Sequence, residues 1–170
     1  MALITQTERL KIRYVTLDDV EPMFRLYNSE GFLTYIGDRN IRSIADCEKA
    51  LLDGPIKMYE DHGFGLFAVE DRQTGEFLGI CGLIKRDELD DVDLGYGFLP
   101  EAEGKGYATE SSRAMVDYAK DHEGLNSLVA ITQSRNTGSI KVLEKVGMHF
   151  EKEIEVSFSE MPLMLYRIDF

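Results

Sequence analysis

The segment from residue 65 to residue 99 most constrains the fold, because it holds three consecutive strand-like stretches joined by short turns. These stretches are residues 65–69, 77–84 and 92–99, and the turn Asp71–Gly75 separates the first two. Polar turn residues and glycine between short apolar runs are typical of hairpins. Consecutive strands with short connections pair antiparallel. The middle of the chain is therefore expected to form an antiparallel meander.

Helical periodicity flanks this meander on both sides. Before it, the pattern predicts a strand over 8–15 and helices over 16–28 and 43–61, with Thr16 and Ser43 opening capping boxes and Pro55 interrupting the second helix. After it, the pattern predicts a helix over 106–121, a strand over 128–132, a helix over 137–146, and strands over 149–158 and 163–170. The order β-α-α-β-β-β-α-β-α-β-β predicts an α+β fold, a mixed and mostly antiparallel sheet flanked by helices.

Length and composition predict one globular domain over residues 1–170, since no repeat or linker divides the chain. The formal net charge of -12 argues against nucleic acid as a partner and favours cationic ones. The alternative is that the acidic surface only keeps the protein dispersed. No apolar run reaches the roughly 18 residues of a membrane span, and the first residues lack the order of a signal peptide. We expect a cytoplasmic protein with no membrane partner.

Cysteine and histidine spacing gives no sign of a metal site. Cys47 and Cys81 lie far apart, and the three histidines have no ligand-like spacing. Both cysteines are predicted to be reduced core residues, and no metal is expected.

The stretch from Asp93 to Glu110 is the one that indicates chemistry. A strand ends at Leu99, and Gly104-Lys105-Gly106 leads directly into a helix. The first N–H groups of a helix lack internal partners and lie at its positive end, and glycines let the chain curl closely around a ligand. The pattern predicts an anion site suited to a pyrophosphate, where Lys105 either adds charge or lies in solvent. The P-loop and dinucleotide-binding patterns do not match, and an ordinary glycine-rich turn is the alternative.

Three segments in order resemble the GNAT superfamily of acetyltransferases. Residues 103–108, Glu-Gly-Lys-Gly-Tyr-Ala, are similar to the acetyl-CoA motif Gln/Arg-x-x-Gly-x-Gly/Ala. Residues 136–147 resemble the second cofactor segment of the family, and residues 7–13 resemble the start of its RimJ/RimL-like branch. The resemblance covers nearly the whole chain and implies an N-acetyltransferase that uses acetyl-CoA as cosubstrate.

The resemblance also implies a set of cofactor-binding residues. It places main-chain groups near Phe98 and Leu99 beside the pantetheine arm, where two parallel strands splay apart, and Asn136 against the same arm. It places backbone N–H groups on the pyrophosphate, from Gly104, Lys105, Gly106, Tyr107, Ala108 and Thr109.

The chain departs from the family pattern at two positions near this site. Glu103 stands where the family has Gln or Arg, which puts a carboxylate beside the phosphate site. Gly97 stands where the branch often has Trp, which is expected to widen the acceptor pocket.

Direct acetyl transfer requires a proton acceptor for the amine and a proton donor for the leaving thiolate. We predict Ser139, one helical turn after Asn136, as the thiolate's partner; a plain capping serine is the alternative. Asp93 is the first candidate for the base, against a structural role. A water chain, Tyr96 and His149 stay open as bases, whereas a covalent route through Cys81 is not expected.

Two other functions stay open at this stage. One is a coenzyme A-binding regulatory module without catalysis, and the other is a nucleotide-binding adaptor. For the enzyme, the acceptor is expected to be a primary amine, on a protein N-terminus, an amino acid, a polyamine or an aminoglycoside. A homodimer is common in the resembling branch.

Overall fold

The computed structural model describes residues 3–170. Its strands are β1 Leu3–Gln6, β2 Leu10–Arg13, β3 Leu66–Asp71, β4 Phe77–Ile84, β5 Asp93–Phe98, β6 Ser127–Thr132, β7 His149–Ile154 and β8 Leu163–Asp169. They form one eight-stranded sheet in the order β1-β2-β3-β4-β5-β6-β8-β7. Every neighbouring pair is antiparallel except β5 and β6, which are parallel. The predicted meander is confirmed as β3, β4 and β5.

Helices cover both faces of this sheet. They are α1 Val20–Tyr27, α2 Glu30–Tyr35, α3 Ile44–Leu51, α4 Lys57–His62, α5 Tyr107–Asp121 and α6 Thr137–Lys145. Short 3-10 turns lie at Leu17–Asp19 and Pro100–Ala102. The expected α+β architecture, a mixed and mostly antiparallel sheet flanked by helices, is confirmed.

The capping signals act where the sequence placed them. The side chain of Thr16 accepts from the amide of Asp18, and the amide of Thr16 donates to Asp19 at 2.9 Å, which closes a capping box. Ser43 accepts from the amide of Asp46 at 3.0 Å and caps α3, whereas the Asp46 carboxylate accepts from the amide of Arg42 at 3.0 Å, so only half of the predicted box forms at Ser43. These bonds satisfy N–H groups that a helix end leaves without partners.

Pro55 interrupts the second helical segment as expected. Residues Leu52–Ile56 form a π-helical turn between α3 and α4, and Gly54 has non-helical angles of φ -102° and ψ -106°. A proline ring clashes with the preceding turn and removes a donor, so the chain bends here before α4.

The core lies on both faces of the sheet. On one face, buried residues of the strands such as Leu10 and Phe67 pack with Met115 of α5 and Leu143 of α6. On the other, Met23 and Leu26 of α1 and Leu51 of α3 pack with Ala68 and Ile80. Burial of this apolar surface holds α5 and α6 on one side and α1 to α3 on the other.

The structure differs from the sequence-based prediction in two added elements and in several strand boundaries, and the strand predicted over 8–15 is shortened to Leu10–Arg13. Strand β1 and helix α2 were not predicted, and both are short. The predicted strand 149–158 ends at Ile154, because residues 155–162 form the connection to β8. No helix within residues 3–170 is long and apolar enough to cross a membrane.

Candidate active site

The connection from β5 to α5 holds the residues that the sequence predicts to bind an anion. We call residues 103–108 the phosphate loop. Gly104 and Gly106 have φ angles of +73° and +83°, which side-chain-bearing residues rarely adopt. Gly106 is the N-cap of α5 and, within the described residues, no side chain caps this end. The first amides of a fifteen-residue helix are therefore left to bind an anion.

The charged neighbours of the loop point in different directions. The Glu103 carboxylate lies towards α2, with Oε1 3.4 Å from where a Cβ at Gly31 would stand. Glu101 is paired with Arg25 at 2.9 Å. The carboxylate that the sequence places at the start of the loop therefore leans towards α2.

A gap between β5 and β6 opens beside the loop. Within the described chain, the two parallel strands pair in register only at Asp93 and Val129, and the amide of Val129 donates to the carbonyl of Val92 at 3.1 Å. Beyond this point β5 continues to Phe98 and β6 to Thr132 without pairing. The two strands thus splay apart and leave their facing edges open.

Phe98 and Leu99, both expected to face a ligand, are placed differently. The Leu99 amide donates to the Leu78 carbonyl at 2.9 Å, and the Leu99 carbonyl accepts from the Ala102 amide at 2.9 Å. Main-chain groups alternate between the two edges of an antiparallel strand, so Tyr96 and Phe98 present theirs to the gap. The open edge of β5 thus belongs to Tyr96 and Phe98, whereas Leu99 is engaged within the protein.

The first turn of α6 lies beside the gap and contacts β5. Asn136 is the N-cap of α6, and its Oδ1 accepts from the Ser139 amide at 3.2 Å. The Tyr96 hydroxyl donates to Ser139 Oγ at 2.9 Å, which joins β5 to α6 across the gap. Because Tyr96 supplies the proton of this bond, the Ser139 hydroxyl keeps its own proton for another acceptor.

Tyr96 is a protonated phenol over the whole physiological range. Burial raises its pKa to about 12, the hydrogen bond to Ser139 opposes this rise, and nearby Cys81 adds to it. Because the phenol stays neutral, it keeps the proton with which it donates its hydrogen bond to the serine hydroxyl. The sequence predicted Tyr96 only as a possible base. Side chains alternate between the two faces of β5, and Tyr96 lies on the face where it contacts Ser139 of α6.

Asp93 lies where the two strands begin to separate, and it is 1% exposed. Its Oδ2 accepts from Arg86 Nε at 2.8 Å, whereas Oδ1 has no hydrogen-bond partner among the described residues. Burial raises its pKa above the ordinary aspartate value, and the charge and hydrogen bond of Arg86 oppose that rise. A carboxylate with a raised pKa and a free oxygen is a stronger proton acceptor than an exposed one.

Two other candidates from the sequence lie in unsuitable surroundings. Cys81 is fully buried on β4, and burial raises its thiol pKa to about 11, so the thiolate is disfavoured. His149 is exposed at the start of β7, and β6 and β8 separate that strand from β5. Within residues 3–170, no group of three His, Cys, Asp or Glu side chains is arranged so that it could hold a metal ion.

Helix α2, which the sequence did not reveal, borders the gap on the face opposite Ser139. A Cβ at Gly97 would lie 3.7 Å from both Phe32 Cδ2 and Ile36 Cδ1, so α2 packs over the strand at the glycine. Gln133, just after β6, donates to the carbonyls of Thr34 and Tyr35 at 3.4 and 3.3 Å. The end of α2 therefore spans from β5 to the segment after β6 and packs directly over Gly97.

Comparisons with known proteins agree with this geometry. Residues 9–149 match the family described as the acetyltransferase (GNAT) domain. The protein YkkB of Bacillus subtilis (strain 168) is 31% identical over 152 residues, which cover 87% of this chain and 86% of YkkB. An acetyltransferase from Agrobacterium tumefaciens superposes with a TM-score of 0.84 at 23% identity, covering 100% of this chain and 95% of that one. The ribosomal L7/L12 α-N-protein acetyltransferase RimL, solved in complex with coenzyme A, superposes with a TM-score of 0.81 at 13% identity, covering 99% and 98%.

The match over residues 9–149 spans most of the 170 residues and includes both the phosphate loop and the first turn of α6. The chain therefore belongs to the GNAT family of acetyltransferases, which are acyl-transferring enzymes.

Proposed function

We propose that this protein transfers an acetyl group from acetyl-CoA directly to a primary amine, on a protein N-terminus or a small molecule. One observation carries the proposal: the uncapped amides of the phosphate loop adjoin a splayed strand pair that leads to the Tyr96–Ser139 pair. An anion cradle, an open strand edge and a proton donor thus follow one another along a single path.

In this proposal the donor is held mainly by the backbone. Amides from Gly104 to Thr109 bind the diphosphate, and the open edge of β5 at Tyr96 and Phe98 pairs with the amides of the pantetheine arm like an added strand. Asn136, whose Oδ1 already caps α6, contacts the arm through its Nδ2. Binding through the backbone explains how the site tolerates glutamate at position 103.

Transfer requires the amine nitrogen to bond to the acetyl carbon while the carbon–sulfur bond breaks. A main-chain N–H on the open edge of β5 stabilises the developing oxyanion. Ser139 donates its proton to the sulfur and takes the proton of Tyr96, whose hydroxyl already donates to Ser139 Oγ at 2.9 Å. The Tyr96 phenolate then regains a proton from water, which restores both hydroxyls. This assigns Ser139 the role that the sequence suggested and adds Tyr96 behind it.

Asp93 is our candidate for the proton acceptor. Its Oδ1, which has no hydrogen-bond partner among the described residues, takes the amine proton directly or through one water. Burial favours this uptake because it disfavours the charged carboxylate. A water chain alone is the competing arrangement, and it predicts little effect of replacing Asp93.

In this proposal the acceptor enters from the side of α2, where Gly97 places no side chain beneath Phe32 and Ile36. The net charge of -12 favours an acceptor that carries positive charge. The superposition with RimL keeps a protein N-terminus among the acceptors to be tested. The two cysteines are free and buried, which supports a reducing compartment such as the cytosol.

Calorimetric titration with acetyl-CoA, coenzyme A and ATP tests the donor site. We expect the wild type to bind acetyl-CoA and coenzyme A at micromolar concentration and ATP weakly. Gly104→Glu should abolish binding, since it adds a negative side chain to the cradle. Gly75→Glu is the matched control, because Gly75 also has a positive φ of 76° and open space, but lies in the turn before β4.

Acetyl transfer is then measured by thiol release with a panel of amines. Turnover with any amine supports the enzyme and removes the alternative of a regulatory module. Tight acetyl-CoA binding without transfer to protein N-termini, amino acids, polyamines or aminoglycosides would favour that module. A folded wild type that binds no coenzyme A contradicts the whole proposal.

A further inference from the structure

The turn between β1 and β2 is fastened to the first turn of α5 by a single carboxylate. The main-chain amide of Arg9 donates to Glu110 Oε2 at 3.0 Å, and Arg9 Nε donates to Glu110 Oε1 at 2.7 Å. The Thr7 hydroxyl also donates to Oε2. Three donors from one turn therefore converge on Glu110, although the turn and Glu110 are about 100 positions apart in the chain.

From this anchor, the Arg9 guanidinium extends along the phosphate loop. Its Nη1 donates to the Lys105 carbonyl at 2.9 Å. Its Nη2 lies 3.3 Å from where a Cβ at Gly106 would stand, and its central carbon lies 4.5 Å from the centroid of the Tyr107 ring. One side chain thus contacts three successive residues of the loop.

The bond to the Lys105 carbonyl determines which way the loop amides point. In a planar trans peptide, the C=O of Lys105 and the N–H of Gly106 point in opposite directions. Because Arg9 holds the carbonyl towards the β1–β2 turn, the Gly106 N–H is directed away from it. The flanking φ angles of +73° and +83° belong to flexible glycines, so an external tie is needed to keep this arrangement.

The charges around the loop also favour a role for Arg9. Glu101, Glu103 and Glu110 surround the loop in a chain with a net charge of -12. Arg25 pairs with Glu101, and Arg9 pairs with Glu110. Arg9 therefore offsets a carboxylate in the first turn of α5 that would otherwise repel an incoming anion.

We propose that Arg9 is a positioning residue for the diphosphate end of the donor, held in place by Glu110 and Thr7. It orders the phosphate loop before the donor binds and keeps the loop amides directed at the diphosphate. This inference rests on the proposed use of acetyl-CoA. Its signature is an effect confined to donors that carry the diphosphate.

The test compares Arg9→Met with the wild type in two measurements. Calorimetry with coenzyme A is expected to show a Kd raised about tenfold or more, because charge-assisted bonds that order the loop are lost. In steady-state assays, KM for acetyl-CoA should rise with kcat nearly unchanged. KM for S-acetylpantetheine, which lacks the diphosphate, should stay at the wild-type value. A general disturbance of the fold would weaken both donors alike.

Arg72→Met is the matched control. Arg72 also ties the β1–β2 turn, through Nη1 to the Thr7 carbonyl at 3.0 Å, and among the described residues its side chain has no hydrogen bond to the phosphate loop. We expect wild-type Kd and KM values for this variant. Arg9→Lys is the second variant, because it keeps the positive charge beside Glu110 but loses the fork that reaches the Lys105 carbonyl, and it should raise the Kd for coenzyme A severalfold even if Arg9→Met does not fold.

Either of two outcomes overturns the role of Arg9. One is a wild-type Kd for coenzyme A in Arg9→Met, or in Arg9→Lys where only that variant folds; the other is equal weakening of the binding of acetyl-CoA and of S-acetylpantetheine. A wild type that binds no coenzyme A overturns the proposed function itself, so the two failures are distinguishable.

Discussion

At the scale of single residues, the Tyr96–Ser139 pair carries the sharpest expectation. Tyr96→Phe keeps the ring that packs beside Phe98 but removes the proton donated to Ser139 Oγ at 2.9 Å. Ser139→Ala removes the hydroxyl that we propose donates to the sulfur. We expect kcat to fall by about a hundredfold in Ser139→Ala and by about tenfold in Tyr96→Phe, within the range of general acid catalysis.

The readout is kcat with acetyl-CoA, together with the Kd for coenzyme A, which should change little. Tyr118→Phe is the control, because Tyr118 is also a tyrosine facing the core, and its ring packs against Phe67 and His122 away from the gap. If both site variants keep wild-type kcat, Ser139 serves only as a hydrogen-bond partner of Tyr96 and the thiolate is protonated by solvent.

Asp93 gives a prediction in which activity and stability move apart. Its folded pKa lies above the ordinary value because burial disfavours the charge, so the folded state holds its proton to higher pH than the unfolded state. Wild-type stability should therefore fall as pH rises from the ordinary aspartate range through this raised pKa. Activity should rise over the same window as the base becomes ionised. Asp93→Asn should remove both trends.

At pH 7 we expect Asp93→Asn to lose about a hundredfold in kcat while its melting temperature stays at or above that of the wild type. Thermal melts and kcat profiles measured from about pH 4 to about pH 9 check the predicted melting temperature and the predicted kcat. Wild-type kcat with a much lower melting temperature would instead show that Asp93 serves only as the partner of Arg86.

At the scale of elements, the sequence predicted what periodicity and capping determine. The meander, α5, α6 and the break at Pro55 each depend on neighbours within a few positions, and each was found in place. Strand β1 was missed because its four residues carry no alternation, and the turn after it, Thr7-Glu8-Arg9, has no glycine or asparagine signal. Helix α2 was missed because its six residues include Gly31 and pack by tertiary contact.

Local sequence patterns do not show which glycines of the sheet could be replaced by a larger residue. A Cβ at Gly82 would stand 2.1 Å from the Gly65 carbonyl oxygen, where only the backbone of β3 could yield. At Gly97 the nearest atoms are side-chain carbons at 3.7 Å, an ordinary contact distance. We expect Gly82→Ala to lower the free energy of unfolding by about 2 kcal/mol, and Gly97→Ala to leave it nearly unchanged.

Urea denaturation of both variants measures this difference. A third variant, Gly97→Trp, tests the acceptor side: it should reduce kcat/KM for large amines while sparing small ones. Equal destabilisation of the two alanine variants would contradict the packing of α2 over Gly97.

At the scale of the whole molecule, the sequence predicted the position of the phosphate loop but not the contacts that surround it. The loop is contiguous, so its glycines and the start of α5 could be located from the chain alone, whereas the binding role of Gly104 to Thr109 stays a prediction. The links made by Arg9, Tyr96 and Asp93 join positions 7 to 101 residues apart in the chain. Such links depend on how strands and helices come together, and no local pattern encodes them. The engagement of both main-chain groups of Leu99 is likewise a consequence of strand pairing.

The net charge of -12 belongs to the whole molecule and yields the last prediction. If the acidic surface draws the acceptor in, kcat/KM for a linear triamine should fall steeply between about 0.02 and 0.5 M salt, since screening shortens the reach of the field from well over 10 Å to a few. A monoamine of similar length, measured under the same conditions, is the control and should respond less. A parallel salt response of the two amines would mean that the charge only keeps the protein dispersed, and that the space beside Gly97 determines the choice of acceptor.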